Sequence, residues 1–289
     1  MHRTQTIAAF LLASCLAAGD FSGTQAMEYV KQIVAFGPRP PASPAMKKQQ
    51  AYILGQLKNC GCQVTQDDFT AQTPKGPVAM KNIVARFLGT NGKALAVTGH
   101  YDTKTFTTFR FVGANDGGSS AAFLLELARA LKGRSHASDV YLVWLDGEEA
   151  YGEWSATDSL YGSRHLAGKW AADGTAARVK ALINVDMIGD KDLSILQEMY
   201  SYEALRRLVW QVANQLGRGQ NFSEQDYAVE DDHVPFLKRG IKAIDLIDFS
   251  YGPDNTWWHT AADTIDKLSP NSFQAVGDVI LEVLRRLDP

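Results

Sequence analysis

The sequence predicts an α/β protein, a three-layer α/β/α sandwich around a mixed, mainly parallel central sheet. Short apolar runs such as Val140 to Leu145, which read as strands buried on both faces, alternate with segments of helical periodicity. Two further strand signals, Val64 to Phe69 and Asn82 to Leu88, follow each other with no helix between them, so an antiparallel edge is expected there. Histidines and carboxylates gather just after the apolar runs, where open parallel sheets carry their sites.

Of 289 residues, 45% are hydrophobic and 21% charged, an ordinary globular balance. No repeat or domain-sized linker interrupts them, so residues 20–289 read as a single catalytic domain. A net charge of -3, with no basic run, excludes a nucleic-acid partner. Residues 1–19 have the shape of a secretory signal, His2 and Arg3 preceding the apolar run Ile7 to Leu12. Leu12-Ala13-Ser14-Cys15 also resembles a bacterial lipobox, which would place a lipid anchor on Cys15, whereas Ala17-Ala18-Gly19 suits ordinary cleavage. The expectation is an exported monomer, periplasmic or secreted and in the lipobox case lipid-anchored. No segment approaches the ~20 consecutive apolar residues of a membrane span.

Ser22 and Gln25 form a possible capping box, and Met27, Val30, Ile33 and Val34 continue a helix to about Phe36. The proline-rich segment Gly37 to Pro44 is a stiff connection. Ser43-Pro44 then opens a second helix, with Ala51, Ile53, Leu54 and Leu57 as its apolar face and Gly61 as its end. A bridge between Cys60 and Cys62 across one glycine would be strained, so buried thiols are expected. Gly89 to Gly92 turns into the strand Ala94 to Thr98, and Ser119 to Leu131 reads as a buried helix. Asp158 to Ala167 reads as irregular, Ala181 to Val185 as a strand, Leu205 to Leu216 as a helix closed by Gly217, and Ile241 to Ile247 as the last strand. Ser269-Pro270 opens a terminal amphipathic helix carrying Phe273, Val276, Ile280, Val283 and Leu287.

The run Val140 to Leu145 stops abruptly at Asp146, Gly147, Glu148 and Glu149. Charges so near a hydrophobic layer are costly unless paired or bound to a cation, which favours a metal site over a solvated acidic loop. His100, Asp116, Asp186 and His259 fall at or after other strand ends, and that convergence strengthens the metal reading. With no thiolate at these positions, Asp116, Glu149 and His259 make a three-ligand catalytic zinc set with one position open. Glu148, next to a ligand, is placed to move a proton. His100 and Asp186 either complete a second metal site with Asp116 bridging or act through hydrogen bonds.

The blocks GHYDTK (Gly99 to Lys104), GANDGGSS (Gly113 to Ser120), LDGEEA (Leu145 to Ala150), NVDMIG (Asn184 to Gly189) and WHT (Trp258 to Thr260) resemble the five motifs of the co-catalytic zinc aminopeptidases. Within that superfamily the chain more closely resembles the glutaminyl cyclases, through Trp154, DSLYGSRHLAGK at Asp158 to Lys169, EDDHVPFLKRG at Glu230 to Gly240, and Trp258 before His259. Gly99 stands where animal cyclases carry half of a disulfide, so the likeness is to bacterial members. The resemblance implies one zinc per chain on Asp116, Glu149 and His259, with Glu148 as general acid/base partnered by Asp186 and Asp231. It also implies pocket roles for Trp154 and Trp258, and peptides or proteins with N-terminal glutamine as substrates. The alternative is a di-zinc aminopeptidase that also uses His100 and Asp186.

Each assignment has a plainer competitor. Trp154 and Trp258 could be core aromatics, His233 at the substrate pocket a structural hydrogen-bonding histidine, as expected for His165, and Asp231 a helix cap. His100 and Asp102 read as supports in a cyclase and as ligands only in a peptidase. A fold that has lost its chemistry would have no need of an intact ligand and base set.

Overall fold

A computed structural model describes residues 20–288. Both readings of residues 1–19, with the anchor at Cys15, lie outside them. The Ser22 hydroxyl caps helix α1 (Gly23–Ala35), accepting from the Gln25 amide at 3.2 Å. Ser43 caps α2 (Pro44–Leu57) in the same way. Strands β1 (Gln63–Thr73) and β2 (Gly76–Phe87) form a long antiparallel hairpin. Next come β3 (Ala94–His100), α3 (Gly118–Leu131), β4 (Asp139–Leu145), α4 (Tyr161–Ala172) and β5 (Val179–Asp186). The chain closes with β6 (Ile195–Glu198), α5 (Glu203–Gln215), β7 (Phe222–Tyr227), α6 (His233–Leu237), β8 (Ala243–Ile247) and α7 (Pro270–Leu287).

The sheet runs β1-β2-β4-β3-β5-β8, antiparallel from β1 to β4 and parallel from β4 through β3 and β5 to β8. Alternation along β3 sends Leu95 and Val97 into one core with α1, α3 and α7, and Ala94 and Ala96 into the other with α4 and α6. That gives the three layers expected. Thr98 and His100 continue the second row, so polar side chains on the α4–α6 side sit directly above an apolar floor. Among the described residues β6 and β7 pair only with each other, beside β8.

Four expectations are corrected. The stretch read as irregular from Asp158 contains the start of α4, whose buried stripe of Tyr161, Leu166, Ala167 and Trp170 is diluted in sequence by outward-facing Arg164, His165 and Lys169. Ala51 is exposed, and Met46 and Gln49 join Ile53 and Leu57 on the buried face of α2. Cys60 and Cys62 form a disulfide. Gly61 between them has φ +77°, a left-handed turn that brings their Cα atoms to 5.4 Å, within bridging reach. The fourth concerns His233, which is buried against Glu198 rather than placed at the substrate pocket.

Candidate metal centre and active-site cavity

Glu148 and Glu149 follow β4 on a turn held by Asp102, which is fully buried and accepts from the Glu148 amide at 3.1 Å and the Glu149 amide at 3.4 Å. Asp116 enters from the loop before α3. Its amide donates to Asp263 at 3.2 Å, and the neighbouring Asn115 amide does so at 2.8 Å. The turn after Asp116 requires Gly117, because a Cβ there would lie 2.2 Å from the Asp102 carbonyl oxygen. His259 arrives from the loop after β8 in a left-handed conformation, φ 54°. Trp258 stacks on its ring at 4.0 Å, and Phe106 and Phe111 meet it edge-on at 5.7 and 5.8 Å.

These elements bring Asp116, Glu149 and His259 together, with one donor atom from each lying within 4.8 Å of the others. His259 Nε2 is 3.1 Å from Asp116 Oδ2 and 3.2 Å from Glu149 Oε1. Asp116 Oδ2 is buried with only the fellow ligand His259 close to it, the condition of an oxygen aimed at a shared cation. Two carboxylates and an imidazole around a common point fit a divalent metal. His100 forms a second convergence with Asp116 and Asp186, its Nε2 at 3.2 Å from Asp116 Oδ1 and 3.0 Å from Asp186 Oδ1. Lys104 braces the outer side, its amide donating to Glu149 Oε1 at 3.2 Å.

Burial pushes the Glu148 carboxyl well above the usual range, Glu149, Asp231 and Asp232 adding to the effect and His100 opposing it. Burial also raises Asp186, to about 7, against the pull of His100. Beneath them Thr98, Asn184 and Asp245 stand in register across β3, β5 and β8. Thr98 donates to Asn184 at 2.8 Å, and Asn184 donates to Asp245 at 3.0 Å. Burial holds the Asp245 carboxyl well above its ordinary value, with Asp231 and Asp186 adding to it.

A cavity of about 580 Å³ opens over these groups. Glu148, Asp186 and Asp231 reach it from below, and Trp154, Phe249 and Trp258 wall it. His233, expected at the substrate pocket, is instead fully buried with Nε2 3.0 Å from Glu198 Oε2 and does not line the cavity. It starts α6, so its side chain points into the protein while Asp231 two residues earlier faces the cavity. His165 stacks on Phe69 at 4.3 Å and lies 3.3 Å from Asp67, away from the site.

Residues 82–284 match the family model described as Peptidase family M28. The chain belongs to this family. A glutaminyl-peptide cyclotransferase-like protein of Bos taurus is 32% identical over 277 residues, covering 84% of this chain and 70% of its own. The crystal structure of an Acidobacteriales bacterium glutaminyl cyclase is 39% identical, covers 99% of both chains and superposes with a TM-score of 0.90. A Zn-dependent exopeptidase from Parabacteroides distasonis shares 26% identity over 93% of this chain and 99% of its own, with a TM-score of 0.82. The glutaminyl cyclase thus shares more identity with this chain than the exopeptidase does, as the motif blocks implied.

Asp263, Asp245, Lys104, Phe106 and Phe111 complete this M28 site without having been singled out in the sequence. Lys104 closes the GHYDTK block, and Asp263 lies four residues beyond His259. The others act through contacts that the chain makes only after folding.

Proposed function

We propose that this chain is a glutaminyl-peptide cyclotransferase, converting N-terminal glutamine of peptides or proteins to pyroglutamate with release of ammonia. The observation that carries the proposal is the buried Glu148, its proton affinity raised, facing an aromatic-walled cavity beside a three-ligand metal set. A glutaminyl chain end brings its own nucleophile. The α-amine closes on the γ-carbonyl carbon, forming the ring C–N bond, and the amide C–N bond breaks. Glu148 takes a proton from the amine and returns one to the departing nitrogen, which leaves as ammonia. Asp186 and Asp231 are its partners, keeping a proton available at neutral pH. Trp154 and Trp258 hold the flexible glutamine in a folded pose and exclude water, the competing nucleophile.

The metal is one zinc per chain, held by Asp116, Glu149 and His259. When bound, it supplies a Lewis acid for the γ-carbonyl oxygen. We also place the enzyme outside the cytoplasm, on the strength of residues 1–19. No described helix is long and apolar enough to cross a membrane.

The convergence of His100 with Asp116 and Asp186 supports a second reading, a di-zinc aminopeptidase in which Glu148 activates water. One parallel assay separates the two. Purified protein is incubated with a glutaminyl peptide, following ammonia, and with a leucyl anilide, following the amine, while zinc is titrated into the apo-protein. Ammonia release saturating at one equivalent is the expected result. Anilide cleavage without cyclisation, saturating at two equivalents, would overturn the proposal.

A further inference from the structure

Beside the active-site cavity lies a second cleft of about 390 Å³, to which the reaction assigns no role. The same two chain segments wall both spaces. Glu153 and Trp154 reach the active-site cavity, and the chain continues directly into Ser155, Ala156, Ser159 and Leu160 of the cleft. On the opposite side Val229 and Asp231 line the cavity, Glu230 lines both, and Pro235, Lys238 and Arg239 line the cleft. The exposed Glu230 is thus common to the linings of cavity and cleft.

Its charge is opposite to that of the site it leaves. Among its lining residues three side chains, Arg164, Lys238 and Arg239, are cationic against the single carboxylate of Glu230, on a chain whose net charge is -3. Arg164 is fixed in place, donating to the Ala156 carbonyl and lying over the Tyr161 ring at 5.0 Å. Lys238 and Arg239 are exposed at the end of α6. Lys238 stands 3.8 Å from Glu230, and Arg239 makes no ion pair among the described residues. Ala156, Leu160, Ala167 and Pro235 supply its apolar lining.

A substrate whose first residue is folded into the cavity must leave it as an extended chain through the mouth. We infer that this cleft receives the substrate's following residues, and that the enzyme prefers glutaminyl peptides with an acidic side chain downstream of the second position. This rests on the cyclase reading. Such an ion pair, made at an exposed surface, acts mostly on encounter and KM and weakens with salt.

The test uses nine-residue peptides beginning Gln-Gly, with one aspartate moved through positions three to nine and the matching asparagine peptides as controls. At low ionic strength the best aspartate position should exceed its asparagine control about fivefold in kcat/KM, carried by KM, and the ratio should fall towards one in high salt. In a Lys238→Ser/Arg239→Ser protein the ratio should fall to near one at every salt concentration. Arg239→Glu should turn the preference towards lysine at the same position. Gln-Gly dipeptide cyclised by the parent, with no aspartate position favoured, would overturn this inference alone. A preference that survives the double substitution would also overturn it. Failure to cyclise Gln-Gly at all would instead overturn the cyclase reading.

Discussion

Replacing Asp263 by asparagine should weaken metal binding at a site that Asp263 does not itself touch. The Asp263 carboxylate meets three donors, the Asn115 amide at 2.8 Å and the Tyr251 hydroxyl at 2.8 Å on Oδ1, and the Asp116 amide at 3.2 Å on Oδ2. An asparagine has one acceptor oxygen. If that oxygen keeps Asn115 and Tyr251, its NH2 faces the Asp116 N–H, donor against donor, at the residue that must aim Oδ2 at the cation. Leaving one buried amide unpaired costs about 1–3 kcal/mol. Loss of a support behind a metal ligand typically costs about 10-fold to 100-fold in affinity. Tyr251→Phe removes one donor while leaving the Asp116 contact, and should have a clearly smaller effect. The assay is zinc competition against a fluorescent chelator, with thermal melting of the apo-protein as a control for folding. Parent-like zinc affinity in Asp263→Asn would refute the claim that this carboxylate positions Asp116.

Glu148→Gln should retain zinc and lose at least about 100-fold in turnover, since it deletes the proton shuttle and keeps the shape; near-normal ammonia release would remove Glu148 from that role. Glu149→Gln should lose zinc as well as activity, which elemental analysis after dialysis would show. Trp258→Ala should raise KM for glutaminyl peptides at unchanged zinc content, and kinetics equal to the parent's would make this ring structural. Asp245 gives a pH dependence. Its folded pKa lies above the unfolded value of about 3.9, so its contribution to stability is fully present below about pH 4 and is lost as pH rises. Asp245→Asn, which does not titrate, should therefore gain stability relative to the parent between pH 4 and pH 8, read from urea midpoints. A difference independent of pH would count against a buried neutral carboxyl.

The alternation of strands with helices was legible because β3, β4, β5 and β8 are buried on both faces and largely apolar, and therefore read as runs. His100, Glu148, Glu149 and Asp186 were legible for the same reason, since each stands out where such a run stops, whereas Asp116 and His259 lie on loops well beyond β3 and β8 and were legible through the GANDGGSS and WHT blocks. Asp263 and Asp245 were not. Asp263 sits in an unremarkable polar loop, and Asp245 interrupts a strand whose apolar neighbours hide it. His233 read as a pocket residue within the EDDHVPFLKRG block, but the first turn of α6 turns it inward onto Glu198. β7 was missed because its sequence, FSEQDY, buries one residue and exposes three. The Cys60–Cys62 bridge was rejected on strain at a generic backbone, whereas the left-handed Gly61 supplies the curvature.

The described chain carries two possible cross-links of very unequal reach. The disulfide spans two sequence positions, so it removes little freedom from an unfolded chain, and reducing it should hardly move the melting temperature. Glu149 and His259 lie 110 residues apart, and a cation between them would close a loop of a length for which chain entropy alone is worth about 4.7 kcal/mol. That loop contains α4, β5, the β6–β7 pair and β8, so a bound cation would tie the second half of the chain to the end of β4. A cation that binds only the folded chain would stabilise it by mass action, so the supply of metal where the protein works would help set how long it survives proteolysis.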